Sequence, residues 1–365
     1  MAKAAAVPAP ANSGFIATPA FDLVFFILAP VLSLACAWLA LGSEWPLRPA
    51  SFAGGERTRF ELFVAVWIYG HLAAVVFRSH LNAEIFRKHP LRFTLAPVLA
   101  YLAMAFSLPL LLVGALLASV WDAYHTAMQN FGLARIYDAK AGNPPAAGRT
   151  LDLWMAQTTY VGPLVFGLSF LPTIEGLAQF QAVGWQAPSQ LLAWLAANQA
   201  ALGRVVLGAG AAFVVYYGFA SWRLAQSGHR VSWQKLALLA STASVTILAF
   251  GFLDGFRGYV ITSLYHGFQY FGIVWWTERG HLAKQTRLGV RWVPLALLFA
   301  ASITLAGLGY EAAIQHGTRE VGAAIQRAAP HVASGPFWIF PIPFVISLMH
   351  FWWDGFVWSV QRKEV

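Results

Sequence analysis

Tyr265–Trp276 reads YHGFQYFGIVWW. Apart from one histidine and one glutamine the stretch is glycine, aliphatic or aromatic. Tyr124–Gly132, YHTAMQNFG, repeats the pattern. Segments of this kind belong in an apolar surround. The question they pose is why His and Gln recur inside them.

Composition places the whole chain in the same setting. Of 365 residues, 58% are hydrophobic and only 11% charged, whereas soluble domains carry about a quarter charged residues. The fold class expected is all-α: a polytopic membrane helix bundle of about ten transmembrane helices. The 16 Trp and 28 Phe suit lipid-facing surfaces and interfacial belts. The single cysteine, Cys36, excludes an internal disulfide and a thiolate-based zinc or iron–sulfur site. The net charge of +9 is spread between apolar runs, which speaks for membrane topology and against nucleic acid.

Apolar windows predict spans near 21–42, 59–82, 93–113, 117–138, 152–174, 198–225, 233–251, 255–277, 290–311 and 337–360. A tight turn near Gly114 is expected between the third and fourth. The loops 175–197 and 312–336 have room for interfacial helices. Residues 1–20 read as a flexible tail, 21–360 as one transmembrane domain and 361–365 as a short C-terminal tail. With ten spans, 17 of the 24 Lys and Arg residues fall on the side bearing both termini and 7 on the other. By the positive-inside rule the termini are cytoplasmic, in a bacterial-type plasma membrane. Small-residue runs such as LGAGAAFVVYYGFAS (207–221) read as close helix packing.

The ten histidines divide by position. His89, His229, His281, His316 and His331 fall in loops or at ends, and His80, beside Arg78 and Asn82, near an interface. His71, His125, His266 and His350 each sit inside a different span: the second, fourth, eighth and tenth. Counted from the outer ends of those spans they lie roughly 12, 8, 11 and 13 residues in. At about 1.5 Å per residue they share a slab less than about 8 Å thick. Ionisable groups in the bilayer interior face the bundle and pair with something. Neutral imidazole is the commonest metal ligand, and bundle cores build metal sites from facing helices. Gln129, Gln269 and Asp354 follow their histidines by four, three and four residues, on the same helix face. They are expected to steer the imidazoles or to join them. Tyr124 and Tyr265, each directly before a histidine, are the expected aromatic contacts to the bound group. An ion pair between Asp122 and Arg257 is a further expectation.

Imidazole donors suit iron, copper, zinc or nickel. Too few carboxylates are present for a carboxylate-bridged di-iron centre. The HxxxH and HxxHH clusters of membrane desaturases are absent, and no lysine lies within a span to bind retinal. Fe(II) is the favoured ion. Haem b, held axially by pairs of histidines, is the alternative cofactor.

The segments IYGHLAAV, YHTAMQNFG, YHGFQYFG and MHFWWDGF resemble, in order and character, the histidine motifs of the Brp/Blh-type bacterial membrane dioxygenases. The third motif here carries one histidine where that family has two close together. The resemblance implies His71, His125, His266 and His350 as ligands of one iron, and oxygen chemistry on a carotenoid-like substrate. The leading expectation is therefore a non-haem iron oxygenase acting on an apolar lipid, with Tyr265, Tyr270, Phe271, Trp352 and Trp353 as its aromatic walls. A haem- or pigment-binding electron-transfer protein, and a transporter or complex subunit with a midplane polar belt, are the alternatives.

Overall fold

The computed structural model describes residues 14–286, 291–327 and 337–358. Residues 1–13 of the expected tail, His331 and the C-terminal 361–365 lie outside them. Ten helices of 13 residues or more make up most of the described chain: α1 (Ala29–Leu41), α2 (Arg59–Ser79), α3 (Pro90–Ala105), α4 (Leu108–Lys140), α5 (Arg149–Phe166), α6 (Ala187–Gln226), α7 (Trp233–Phe252), α8 (Gly255–Thr286), α9 (Trp292–Arg327) and α10 (Pro341–Val357). Each overlaps one apolar window. Five helices (α2, α4, α6, α7, α9) are long and apolar enough to cross a membrane, or up to seven if two bent helix pairs count as one span each.

Local chemistry sets the helix starts. Thr58 and Glu61 form a reciprocal capping box at α2, with bonds of 3.1 and 2.6 Å. Ser107 caps α4 and Ser232 caps α7. Residues 14–17 are anchored, not loose: the Ile16 and Ala17 amides donate to the buried Asp22 carboxylate. Pro19–Ile27, which ends in a π-turn, then bends by 59° into α1. The carbonyls this frees are taken up by neighbours, Gln269 donating to Phe26 O at 3.1 Å and Ser241 to Ile27 O. Broken helices survive in an apolar surround only with such replacements.

Several boundaries differ from expectation. The α3–α4 break falls at Phe106–Ser107, and Gly114 lies inside α4 with the Met104 sulfur against it. The fifth span does not run to 174. The chain turns by 96° after α5, where Gln199 donates to the freed Gly167 carbonyl, and continues through short helices to Val183. Most of the loop 175–197 is helical, because α6 already starts at Ala187, and α9 carries on through the first two thirds of the loop 312–336, to Arg327. The all-α reading misses one hairpin, Pro49–Phe52 with Gly55–Thr58, turned at Ala53 and Gly54, both at positive φ.

Helix α8 is the axis of the fold. From Val260 to Val274 every residue except Phe268 is buried, and a helix apolar on all sides must be surrounded. Helices α1, α2 and α7 pack along it. Outside α2, contact with α9 is backbone-close: a Cβ on Gly70 would stand 2.8 Å from Ile303 O, and one on Gly307 would stand 2.2 Å from Val66 O. Small residues allow such approach.

Gly307→Ala should therefore force α2 and α9 apart, while Gly309→Ala, whose Cβ would meet nothing within 4 Å, should not. Both gain the same helix propensity, about 1 kcal/mol. The first is expected to lower the thermal midpoint in detergent relative to the second by an overpacking cost of about 1–3 kcal/mol. Equal midpoints would refute the close contact.

Candidate metal centre

Four helices each bring one histidine to the same place: α2 His71, α4 His125, α8 His266 and α10 His350. All are buried, with at most 4% of their surface exposed. Their rings form a closed circuit. Centroid separations are 4.7 Å (His71–His266), 5.1 Å (His266–His125), 4.8 Å (His125–His350) and 5.1 Å (His350–His71). Neighbouring rings stand edge to face at 68–90°.

The nitrogens of this circuit are poorly satisfied. Both ring nitrogens of His71 and of His266, and Nδ1 of His350, have no hydrogen-bond partner. Nε2 of His350 and Nε2 of His125 face each other at 3.2 Å. Nitrogen donors of His71, His266 and His350 lie within 4.8 Å of one another, as do those of His125 and His350 with a carboxylate oxygen of Asp354. Neighbouring ligands at about 2.1 Å from one ion are themselves about 3.0–3.4 Å apart. The His125–His350 pair is at that spacing and the other donors are wider, so either triad could hold a cation once its side chains draw in.

Asp354 is the carboxylate of the site. Its Oδ2 lies 3.6 Å from His350 Nε2 and 3.7 Å from His125 Nε2. Its Oδ1 is pinned by Tyr270 Oη at 2.9 Å and Trp358 Nε1 at 3.0 Å. The Trp358 ring carries the Arg78 guanidinium at 4.8 Å, and Arg78 is paired with the buried Glu278. Tyr270 also packs edge-on against His350 and His71. Its bracing role was open to sequence reasoning, since Tyr270 follows His266 by four residues on one helix face. The Arg78–Glu278 support, 200 residues apart in the chain, was not.

The other expected site residues are placed differently. The Gln129 and Gln269 amides do not bond the imidazoles. Gln129 donates to the His266 carbonyl and to Gln269 Oε1; Gln269 donates to Phe26 O and Asn130 Oδ1. They brace the helix carrying His266. Tyr265 is wholly buried among Ala127, Tyr160 and Phe250, away from the imidazole circuit. Tyr124 is 49% exposed and leaves α4 on a different face from His125, yet it lines the same cavity as His125 and Asp354. Trp353 donates to Arg92 O beside His80, and Phe271 packs on Trp67 and Phe299, so neither forms a cavity wall. Arg257 pairs with Asp254, three residues away, and not with Asp122. His80 is satisfied by Ser79 and the Phe93 carbonyl.

Two cavities flank the circuit. One of about 380 Å³ is lined by His125, Asp354, Tyr270 and Trp352. The other, about 470 Å³, reaches His71 along with Asp122, Tyr259 and Tyr310. Both are in the size range of small-molecule sites. No family model, curated protein or solved structure matches the chain.

Groups that hold a ligating set in place typically affect metal affinity by about 10–100-fold. Tyr270→Phe removes a donor from Asp354 with little change in volume. It is expected to weaken metal binding by about tenfold in a competition titration with a chelator. Retention of full affinity would remove Tyr270 from the supporting set.

Proposed function

We propose that the chain is a ten-span plasma-membrane protein with both termini in the cytoplasm, and that it is a non-haem iron oxygenase of an apolar lipid or carotenoid-like substrate. The observation that carries this reading is the closed circuit of four buried imidazoles with unpartnered ring nitrogens. An unsatisfied buried polar group costs about 1–3 kcal/mol, and His71 and His266 each hold two such nitrogens. One divalent cation relieves several at once. Four nitrogen donors and one oxygen suit Fe(II), whose chemistry when bound is the activation of dioxygen.

The residues around the ion would do the remaining work. His71, His125, His266 and His350 hold it from four helices. Asp354 Oδ2 faces two of the ring nitrogens, and Tyr270 and Trp358 fix the carboxylate's direction. Burial keeps bulk water out of the ring. The cavity beside His125 offers a chain-like substrate an apolar berth. The four segments that resemble the Brp/Blh dioxygenases are the four that converge, which supports oxygen chemistry.

The haem alternative fits less well. Two axial imidazoles across a haem iron need nitrogens about 4 Å apart, at about 2 Å per bond, with a flat macrocycle between them. His125 and His350 approach to 3.2 Å, and the other rings close the circuit on either side.

Purified protein is expected to contain about one iron per chain and no Soret band. Alanine at His71, His125, His266 or His350 should each lower bound iron about tenfold or more. His229→Ala should not, since that ring sits 3.4 Å from Asp138, far from the circuit. A Soret band, or metal-free protein after expression in iron-replete medium, would overturn the proposal.

A further inference from the structure

The cavity beside His125 has a direction. Trp121, His125, Gln129, Gly132 and Ile136 recur at intervals of three and four along α4, so one face of that helix forms a wall. From His125 to Ile136 this wall runs about 16 Å at about 1.5 Å per residue. Opposite stand Trp352 and Gly355 of α10. A Cβ built on Gly132 or Gly355 would meet no atom within 4 Å. Two glycines thus keep the passage open on both walls, and no packing demand explains them.

The two ends differ in charge. At the inner end lie the imidazoles and Asp354. At the far end the cavity is lined by Arg135 and Arg149. Arg135 is fully used: it is buried, bonded to Asp138 and Asp152, and donates to the Pro145 carbonyl. Arg149 is exposed, with its guanidinium 5.4 Å from the centre of the Phe131 ring and no ion pair among the described residues. A cation at the mouth of an apolar passage complements an anion-headed chain. A wholly neutral hydrocarbon would leave it unused.

We propose that this cavity binds an amphiphile with an acidic head, a medium-chain carboxylate or alkyl phosphate, its head on Arg149 and its chain running along α4 to His125 and Asp354. The proposal rests on the oxygenase reading for what happens at the inner end, and it narrows the substrate from any apolar lipid to an acidic one. An extended chain advances about 1.2 Å per bond. The Arg149 guanidinium stands over Phe131, six residues or about 9 Å along α4 from His125, so about seven carbon–carbon bonds separate the head from the inner end.

Binding can be read without turnover, through quenching of Trp121, Trp352 and Trp358, which line the cavity. The probes are octanoate, octyl phosphate and methyl octanoate, added to the detergent-solubilised full chain. The two acids are expected to bind at least about tenfold more tightly than the ester, as charge-assisted pairing predicts. The better of the two identifies the head group. Arg149→Gln should erase that advantage and Arg149→Lys should retain most of it. Gly132→Leu should weaken all three probes while leaving the thermal midpoint near that of the parent chain. Equal binding of ester and acid, or indifference to Arg149→Gln, would overturn the proposal. Iron content is measured on the same samples, so loss of the metal reading and loss of the head-group reading appear separately.

Discussion

A polar nitrogen inside an apolar bundle has to find a partner. The described chain meets this demand in many places. Thr126, Thr159, Thr246 and Thr262 return their hydroxyls to carbonyls one turn back. Tyr310 bonds both Pro343 O and Ser347. Gln269, Asn130 and Thr242 share one amide network across α4, α7 and α8. Elsewhere among the described residues buried atoms without a partner occur one to a side chain, Gln129 Oε1 and Tyr265 Oη among them, whereas the imidazole circuit gathers several in one place. Five of its nitrogens have no protein partner, although four helices have been brought together around them. Such a cluster is unfavourable as a packing device, because four apolar side chains would fill the same space without the desolvation cost. It becomes favourable when something electrophilic sits among the rings.

The surrounding structure holds those four helices in register. Arg78 and Glu278 pair between α2 and α8, and Asn82 completes the carboxylate. A second buried cluster joins α4, α5, α6 and α7. Arg135 and Lys235 face Asp138 and Asp152, with Tyr217 donating to Asp152. Two cations meet two carboxylates, so the cluster carries no net formal charge. Buried pairs of this kind are weak sources of stability but severe penalties when one partner is missing, about 3–5 kcal/mol. They therefore act against helix slippage. A shift of one turn, about 5.4 Å, in α2 or α8 would break the first cluster and one in α4 the second, and either would open the imidazole circuit.

Much of this was legible, for a geometric reason. Depth in a bundle follows from residue number at a fixed rise, so four histidines at one level could be read from the chain alone. Side-chain direction could not. The i+3 and i+4 spacing of Gln129 and Gln269 suggested that they steer imidazoles, but that spacing says only that two residues share a face. Long flexible amides reach across to each other and to a broken helix instead. The same spacing rule applied to His266 and Tyr270 would have found the residue that holds Asp354. The turn at Gly167 was hidden because hydropathy windows read straight through a bend. Arg135 is one of the basic residues counted on the cytoplasmic side, yet it is buried against Asp152, a partner 17 residues away that charge counting does not see.

Two of the four helices carrying the site, α2 and α4, have the length and composition of a span, and two do not. Helices α8 and α10 bear two of the four histidines, yet neither is among those long and apolar enough to cross a membrane. For α10, at 17 residues, the reason is length; for α8 it is position. A helix enclosed by other helices needs no lipid-compatible surface and is free to carry His, Gln, Asp and Tyr. A helix on the outside must be apolar wherever it faces the bilayer. In the most apolar windows of α6 and α9 only 11% and 17% of the stretch is buried within the protein, and both are long and apolar enough to span. Apolarity and function thus trade places from rim to centre. A count based on composition finds the wall of the bundle first and undercounts the helices that matter most to its chemistry. In such a chain, a polar residue that lowers the apparent quality of a span is the better guide to the site.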